Sequence, residues 1–256
     1  MFASICALSL LASCAGKDGD PGPAGAAGAN GSTGPTGPSG QNLTGTIYGF
    51  VNPVDENGSS VAKNGVTVTL EGATSQTATS DANGRFEFLN MRNGTYNLTY
   101  TRAGYATARR FAVAHVGGDQ PTFLGTTLVT QVSGSLVSNL SFGTASTTFV
   151  PATFTLNNPN PANSTYRVSF FASTSPNVTS ANGTLLTTFV LNGPGTTNTS
   201  FSKTSFTNAG FPVGTTVYVV AYGSAANLAS YTDPTTGRFV FTSLSPTPSN
   251  VASVVL

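Results

Sequence analysis

The sequence predicts an all-β protein in which two β-sandwich domains follow an N-terminal glycine-repeat segment. From residue 43 onward, short runs of alternating apolar and polar residues are separated by turn residues, which is typical of antiparallel strands. Charged residues make up only 7% of the chain, so Thr, Ser, Asn and Gly must cover much of the surface. The roughly 215 residues after the repeat fit two domains of about 100 residues each. We place these domains at 43–130 and 131–256.

Residues 1–14, MFASICALSLLASC, form an apolar run that ends in small residues, as a secretory leader does. Leu11-Ala12-Ser13-Cys14 resembles the bacterial lipoprotein signal, which implies that Cys14 becomes the first mature residue and is acylated. No Lys or Arg precedes Lys17, whereas leaders of that family begin with a basic residue, so either the true start lies upstream or the export signal is atypical. The resemblance implies a lipid-anchored protein of the cell envelope, exposed at the outer membrane.

Residues 15–42 contain a strict three-residue glycine period, with glycine at every third position from Gly16 to Gly40. A collagen triple helix needs this period because only glycine fits at its crowded axis. The segment therefore resembles a collagen-like Gly-X-Y stalk, which reaches about 75 Å if its backbone is extended. Two interpretations remain open: the stalk forms a homotrimer, or it is a spacer made of a single chain.

The first domain shows the clearest alternation of the chain. Tyr96, Leu98 and Tyr100 alternate with polar residues, and Phe86 and Phe88 flank Glu87. Four Asn-Gly pairs separate the apolar runs, and such pairs suit tight turns because they tolerate positive φ. They lie at Asn57-Gly58, Asn64-Gly65, Asn83-Gly84 and Asn93-Gly94. The pattern predicts a seven-stranded sandwich.

Residues 45 to 110 resemble the carboxypeptidase regulatory-like family, a transthyretin-like β-sandwich. The matching positions, in order, are Gly49-Phe-Val51, Asp55–Gly58, Gly65–Val68, Leu70, Gly72, Thr79–Phe88, Gly94–Leu98 and Gly104-Tyr105. The resemblance implies a β-turn at Asp81–Gly84, a core that contains Phe86 and Phe88, and a turn at Gly94 that lets Tyr96 enter that core. It implies no peptidase activity, because in zinc carboxypeptidases the metal site lies in a separate catalytic domain.

Residues 131–256 predict seven further strands, divided by loops at Asn157–Asn163 and Asn192–Asn198. The strands are placed at Val132–Leu140, Phe149–Leu156, Tyr166–Ala172, Leu185–Val190, Val217–Tyr222, Phe239–Leu244 and Val251–Leu256. Phe211–Tyr222 is similar to the strand that carries the tyrosine corner in fibronectin type III domains. Asp233–Phe241 repeats the pattern of Asp81–Phe88. An immunoglobulin- or fibronectin-like sandwich and a second transthyretin-like sandwich both remain open.

The residue inventory favours no enzyme, no cofactor and no metal site. His115 is the single histidine, and the two cysteines, Cys6 and Cys14, both lie in the leader, so a catalytic triad or a zinc site lacks its usual residues. Asp55–Gly58 and Asp81–Gly84 could be calcium turns, although turn chemistry alone explains both. Nucleic acid is not an expected partner, because the densest basic group consists of only Arg102, Arg109 and Arg110.

These observations predict a non-enzymatic cell-surface lipoprotein that displays β-sandwiches on a stalk, for adhesion or envelope structure. The alternative is a carbohydrate-binding surface module. Sugar-binding platforms favour exposed Trp and Tyr, whereas this chain has no Trp and eight Tyr, most of them at core-type positions. Tyr105 and Tyr231 are the tyrosines at which we expect a sugar contact under the alternative. The glycan or protein ligand is not identified by the sequence.

Overall fold

The computed structural model describes residues 43–72, 75–158 and 165–256. Within these residues the chain forms sixteen strands and one short helix, which confirms the predicted all-β class. No helix of this described part is long and apolar enough to cross a membrane. The leader, Cys14 and the Gly-X-Y stalk lie outside the described residues. Asn42–Leu256 form one compact unit, and it contains one hydrophobic core within residues 47–129 and a larger one within residues 137–256.

The first half is a sandwich of a three-stranded and a four-stranded sheet, with strand orders β4-β1-β7 and β3-β2-β5-β6. Strands β1 and β7 pair in parallel, whereas the other pairs are antiparallel. The seven strands are β1 (Thr44–Val54), β2 (Thr67–Glu71), β3 (Gln76–Thr79), β4 (Arg85–Arg92), β5 (Gly94–Thr101), β6 (Ala108–His115) and β7 (Thr122–Thr130). The predicted seven-stranded sandwich is confirmed.

The core between these two sheets contains the aromatic residues that the sequence places there. Phe86, Phe88 and Tyr96 are buried, and the Phe86 ring packs edge-on against the rings of Phe88 and Tyr100. The Asp81–Gly84 turn is also formed, because the Gly84 amide donates to the Asp81 carbonyl oxygen at 2.9 Å. Alternation along each strand thus places the apolar side chains in one shared layer.

The second half pairs a four-stranded sheet, β11-β10-β13-β16, with a three-stranded sheet, β12-β9-β8. A short hairpin of β14 and β15 lies outside both sheets. The elements are β8 (Leu136–Phe142), β9 (Phe149–Asn157), β10 (Tyr166–Ser173), β11 (Thr184–Leu191), β12 (Gly195–Ser202), α1 (Lys203–Asn208), β13 (Thr216–Ser224), β14 (Ser230–Thr232), β15 (Phe239–Phe241) and β16 (Ala252–Val255). The rings of Phe154, Phe170 and Phe201 meet in the core between the sheets.

The central strand β10 is covered on both faces. Phe170 faces the larger core, whereas Phe171 faces a smaller cluster that also contains Val220, Tyr222 and Leu244. The segment that includes the β14–β15 hairpin covers this second face, since Phe171 packs edge-on against Phe241 at a centroid distance of 5.1 Å. Coverage on both faces explains why β10 is buried without interruption from Val168 to Ala172.

Several predicted elements of the second half differ in the structure. Residues 192–198 are predicted as a loop, but β12 (Gly195–Ser202) occupies part of that range and pairs with β9 along its whole length. Its Thr, Ser and Asn residues suit the edge of a sheet, where every residue of the strand except Phe201 is at least partly exposed. The strand predicted from Val132 begins only at Leu136, and the strand predicted to reach Leu244 ends at Phe241.

Tyr222 lies near the end of β13 and contacts a distant segment of the chain: its hydroxyl accepts a hydrogen bond from the amide of Ser180, which is 42 residues away in sequence. The loop predicted at Asn157–Asn163 falls largely on residues 159–164, which lie outside the described residues.

The two halves meet around Glu56. Its carboxylate accepts hydrogen bonds from the hydroxyls of Ser133 and Ser135, both buried, and its carbonyl oxygen accepts from the Ala226 amide at 2.7 Å. Residues 131–135 therefore bind the first half instead of starting a strand. This junction joins a turn of the first sandwich to two separate segments of the second half.

Candidate binding surface

The outer face of the β4-β1-β7 sheet carries aromatic side chains. Along β1, Ile47, Gly49 and Val51 are buried against the core, so the alternation of a strand directs Tyr48 and Phe50 to the opposite, outer face. Both rings are half-buried there. The strand thus contributes to the core and to the surface with alternate residues.

Phe123 completes this surface from the neighbouring strand β7. It pairs with Tyr48 in the register of the sheet, and the two rings stack with centroids 5.0 Å apart and an interplanar angle of 29°. Phe50 meets Phe123 edge-on at 6.2 Å. Phe123 remains 57% exposed. We call Tyr48, Phe50 and Phe123 the aromatic face.

Charged groups border the aromatic face. The guanidinium of Arg85 lies 5.4 Å from the centroid of the Tyr48 ring, and its Nη2 lies 2.6 Å from Oε2 of Glu87. The hydrogen bond from Arg85 lowers the pKa of the Glu87 carboxyl. Because this ion pair is exposed, it contributes little to folding, and its donors and acceptors remain accessible to a ligand. The same side chains line a groove of about 600 Å³ that extends to Asp119.

Flat apolar rings beside hydrogen-bonding groups suit binding rather than catalysis. The described residues contain no group of three or more His, Cys, Asp or Glu side chains that could hold a metal ion. The surface can therefore pack against a ligand and orient it.

The two tyrosines at which a sugar contact is expected, Tyr105 and Tyr231, each lie against an arginine side chain. An arginine guanidinium lies over each ring: that of Arg102 is 4.7 Å from the Tyr105 centroid, and that of Arg109 is 5.6 Å from the Tyr231 centroid. Tyr231 also packs against Phe111 at 5.8 Å. Each ring thus already has a partner within the chain.

The sequence places most of the eight tyrosines at core-type positions, whereas the structure buries half of them: Tyr96, Tyr100, Tyr166 and Tyr222. The composition of the chain does not distinguish Tyr48 from the other tyrosines, but the local alternation does. The run Ile47-Tyr48-Gly49-Phe50 alternates, so once Ile47 is assigned to the core, Tyr48 and Phe50 must share the outer face. Phe123 has no such signal, because a shift of register separates it from the regular part of β7.

The single histidine is a structural residue of the first sandwich. His115 is 3% exposed, and its Nε2 lies 3.1 Å from the Met91 carbonyl oxygen, which can only accept. We therefore assign the proton to Nε2, so that Nδ1 accepts from the Thr122 hydroxyl at 2.7 Å. Both ring nitrogens are engaged, and neither is available to a metal ion.

The acidic turns are explained by turn chemistry. Asp55 and Asp81 each accept two backbone hydrogen bonds through Oδ1, and Asp233 does the same, which lowers the pKa of its carboxyl. The donors to Asp233 are the amides of Thr236 and Thr235. The sequence repeat between Asp81–Phe88 and Asp233–Phe241 thus reflects a shared turn with an aspartate acceptor.

The three arginines predicted as the densest basic group are engaged separately. Arg102 donates to the carbonyl oxygen of Ala62 at 2.7 Å, and Arg110 donates to that of Leu124. Arg109 lies over Tyr231. The three guanidinium groups thus have separate partners in the chain.

No curated protein matches this chain. Among solved structures, a DUF3823 family protein from Parabacteroides merdae is 16% identical; the match covers 84% of this chain and 100% of that chain, with a TM-score of 0.30. A protein from Bacteroides uniformis whose description proposes carbohydrate binding gives the same four values. A cohesin–X-dockerin complex from Acetivibrio cellulolyticus is 28% identical over 35% of this chain and 59% of that chain, with a TM-score of 0.29.

At these TM-scores the likeness to solved structures supports no functional conclusion, and none of the three is described as an enzyme. The family comparison is more specific because it matches a defined segment. The family model of the carboxypeptidase regulatory-like domain matches residues 46–129, which confirms the resemblance predicted for the first half of the folded chain.

Proposed function

We propose that this chain is a non-enzymatic cell-surface lipoprotein that displays its β-sandwiches for adhesion and contacts its target through the aromatic face. The observation that carries this proposal is the stack of Tyr48 on Phe123, with Phe123 57% exposed on the outside of a sheet. Grouped aromatic side chains at a surface are typical of binding sites, because they add a large contact area and lose little rotamer entropy on binding.

The direct test is binding of the purified full chain to immobilised cell-surface glycans and proteins. Tyr48→Ala and Phe123→Ala should each weaken binding about 10-fold or more, as removal of a central aromatic anchor does. Phe239→Ala is a matched control, because Phe239 is 63% exposed at another place in the structure. Equal binding by all three variants would contradict the proposal.

Carbohydrate capture is a second candidate function for the same surface. It is favoured by the position of Arg85 and Glu87 beside the Tyr48 ring, since sugars bind through a flat apolar face together with hydroxyl hydrogen bonds. Soluble oligosaccharides in the binding assay separate the two candidates. They should compete if the target is a glycan, and they should have no effect if it is a protein surface.

The anchoring part of the proposal is supported by the sequence at the N-terminus. The lipoprotein-like signal at Leu11–Cys14 and the glycine period that follows it favour attachment to the cell envelope, at the outer membrane, with the folded domains held away from it. A homotrimer through the stalk would present three aromatic faces together and so gain avidity. Sedimentation of the full chain distinguishes this trimer from a single-chain spacer.

Attachment to the membrane should depend on the sulfur of Cys14. We predict that Cys14→Ala moves the protein from the membrane fraction to the soluble fraction, because no acyl chain can then be added. The circular dichroism of the folded part should be unchanged. Variant protein that still sediments with membranes after a high-salt wash would contradict the lipoprotein interpretation.

A further inference from the structure

Asparagine followed by glycine recurs along this chain, and such a pair can react with itself. The side-chain amide carbon of the asparagine and the backbone nitrogen of the glycine can close a five-membered ring, and glycine has no side chain to shield that nitrogen. Within the described residues the pairs lie at 57–58, 64–65, 83–84, 93–94, 182–183 and 192–193. The structure separates these pairs by what holds the glycine amide.

Most of the pairs are held in regular backbone contacts. Gly94 belongs to strand β5, where it pairs with His115. In four other pairs the glycine amide donates to a backbone carbonyl oxygen: Gly58 to Asp55 at 3.0 Å, Gly65 to Ser80 at 3.1 Å, Gly84 to Asp81 at 2.9 Å and Gly183 to Thr179 at 2.8 Å. A hydrogen-bonded amide loses its proton only when the structure opens locally. These four nitrogens are therefore protected from becoming nucleophiles.

Gly193 is the exception. It lies in the loop between β11 and β12, and its amide donates no hydrogen bond to any residue that the structure describes. Nothing lies within 4 Å of a Cβ built on this glycine, so it borders open space. The preceding residue, Asn192, is exposed. Both reacting groups are thus accessible to water and hydroxide.

Strand β11 offers a direct comparison, because one Asn-Gly pair precedes it and another follows it. The preceding pair is held twice. In addition to the bond from the Gly183 amide, Oδ1 of Asn182 accepts from the Thr179 amide at 2.7 Å, and Nδ2 donates to the Asn177 carbonyl oxygen at 2.9 Å. The same dipeptide is therefore fixed at one end of the strand and free at the other.

We propose that Asn192 is a site of spontaneous deamidation in the folded protein. Hydroxide removes the amide proton of Gly193, and the nitrogen lone pair then attacks Cγ of Asn192. A C–N bond forms to close a succinimide ring, the bond from Cγ to Nδ2 breaks, and Nδ2 takes up a proton and leaves as ammonia. Water adds to either ring carbonyl and opens the ring to aspartate or isoaspartate. The net change is hydrolysis of an amide, without oxidation or reduction.

The product differs from the original chain in charge and in backbone length. One added carboxylate lowers the formal net charge at pH 7 from +1 to 0. Isoaspartate also adds a methylene to the main chain between β11 and β12, which belong to different sheets. The modification does not involve the aromatic face and does not depend on the adhesion proposal.

The test is incubation of the purified full chain in mildly alkaline water enriched in heavy oxygen, followed by peptide mapping with mass spectrometry. Only deamidation during the incubation introduces the heavy isotope. Chymotrypsin cuts at the Leu and Phe residues within β11 and so separates the two pairs. The peptide with Asn192 should be labelled about 10-fold faster, or more, than the peptide with Asn182, which must first open locally. Asn182 is thus a matched control within the same molecule.

Two further measurements complete the test. In urea, which removes the protecting hydrogen bonds, both peptides should be labelled at similar rates. Asn192→Gln should abolish the main acidic species that ion exchange detects after incubation, because glutamine would need a less favourable six-membered ring.

Three results would overturn the inference. The first is no label at Asn192 in the folded chain over a period in which the urea-unfolded chain is labelled. The second is equal labelling of Asn192 and Asn182 in the folded chain. The third is a difference between the two that persists in urea, because the selectivity would then come from the local sequence and not from the hydrogen bonds.

Discussion

At the residue scale, two glycines in similar turns show that backbone conformation and packing are separate requirements. Gly65 and Gly84 have φ values of +81° and +83°, which disfavour any residue with a Cβ. A Cβ added at Gly84 would lie 2.4 Å from the Val51 carbonyl oxygen, whereas nothing lies within 4 Å of one added at Gly65. The Asn-Gly pairs predict the turns, but only the structure shows which turn is also crowded.

We therefore expect unequal effects from the same substitution at these two sites. Gly65→Ala should lower the free energy of unfolding by about 1–2 kcal/mol, through the positive φ alone. Gly84→Ala should cost more, about 3 kcal/mol or above, since the Val51 backbone must also move. Urea unfolding measures both values. Equal losses would show that the carbonyl contact at Gly84 is relieved without cost.

At the scale of elements, strand β6 contains a bulge, and one residue of that bulge contacts the second half. Ala112 has a φ of +54°, and Asn97 of β5 opposes the extra residue and accepts the Ala112 amide through its side-chain oxygen at 3.0 Å. The preceding residue, Phe111, is directed toward the Tyr231 ring in the second half. The bulge thus orients an edge strand for a contact across the junction.

This bulge predicts opposite effects of glycine at neighbouring positions. Ala112→Gly should leave the protein as stable as the wild type or up to about 1 kcal/mol more stable, because glycine adopts positive φ without strain. Ala114→Gly, in the regular part of the same strand, should cost about 0.5–1 kcal/mol. Thermal unfolding of the two variants makes the comparison. A loss at Ala112 as large as that at Ala114 would argue against strain in the bulge.

Elements with clear alternation were predictable, whereas those that depend on distant partners were not. The core of the first sandwich follows from the spacing of Phe86, Phe88 and Tyr96, because strand period and burial agree there. Strand β12 does not follow from its own residues, because its Thr, Ser and Asn side chains resemble a loop and only pairing with β9 makes the segment a strand. Only part of the aromatic face can be predicted. The alternation of β1 predicts that Tyr48 and Phe50 share its outer face, whereas Phe123 joins them only because β7 pairs with β1.

At the scale of the whole molecule, Glu56 holds the two halves together. Its carboxylate is the acceptor for two buried serine hydroxyls, Ser133 and Ser135, that lie where the chain passes from the first half to the second. Loss of this acceptor would leave both hydroxyls buried with weaker hydrogen bonding, which is costly in a protein interior. The relative position of the halves thus depends on a side chain that belongs to neither hydrophobic core.

We predict that Glu56→Ala lowers the free energy of unfolding by about 2–3 kcal/mol and broadens or divides the unfolding transition. Glu71→Ala is the matched control, because Glu71 lies at an exposed strand end, where it accepts a long hydrogen bond of 3.4 Å from the Thr99 hydroxyl. It should cost less than about 0.5 kcal/mol. Differential scanning calorimetry shows both effects. A single sharp transition with unchanged midpoint in Glu56→Ala would mean that the halves are held together without this carboxylate.

The central claim is that the molecule is an adhesion module whose aromatic face contacts the target. The most direct measurement is the attachment of bacterial cells that display the full chain to a target surface under flow. With Tyr48→Ala and Phe123→Ala combined, and display confirmed by antibody labelling, attachment should fall to the level of cells that lack the protein, because the stacked pair is removed. Cells with Phe239→Ala should attach like the wild type. Attachment of the double variant at the wild-type level would contradict the account.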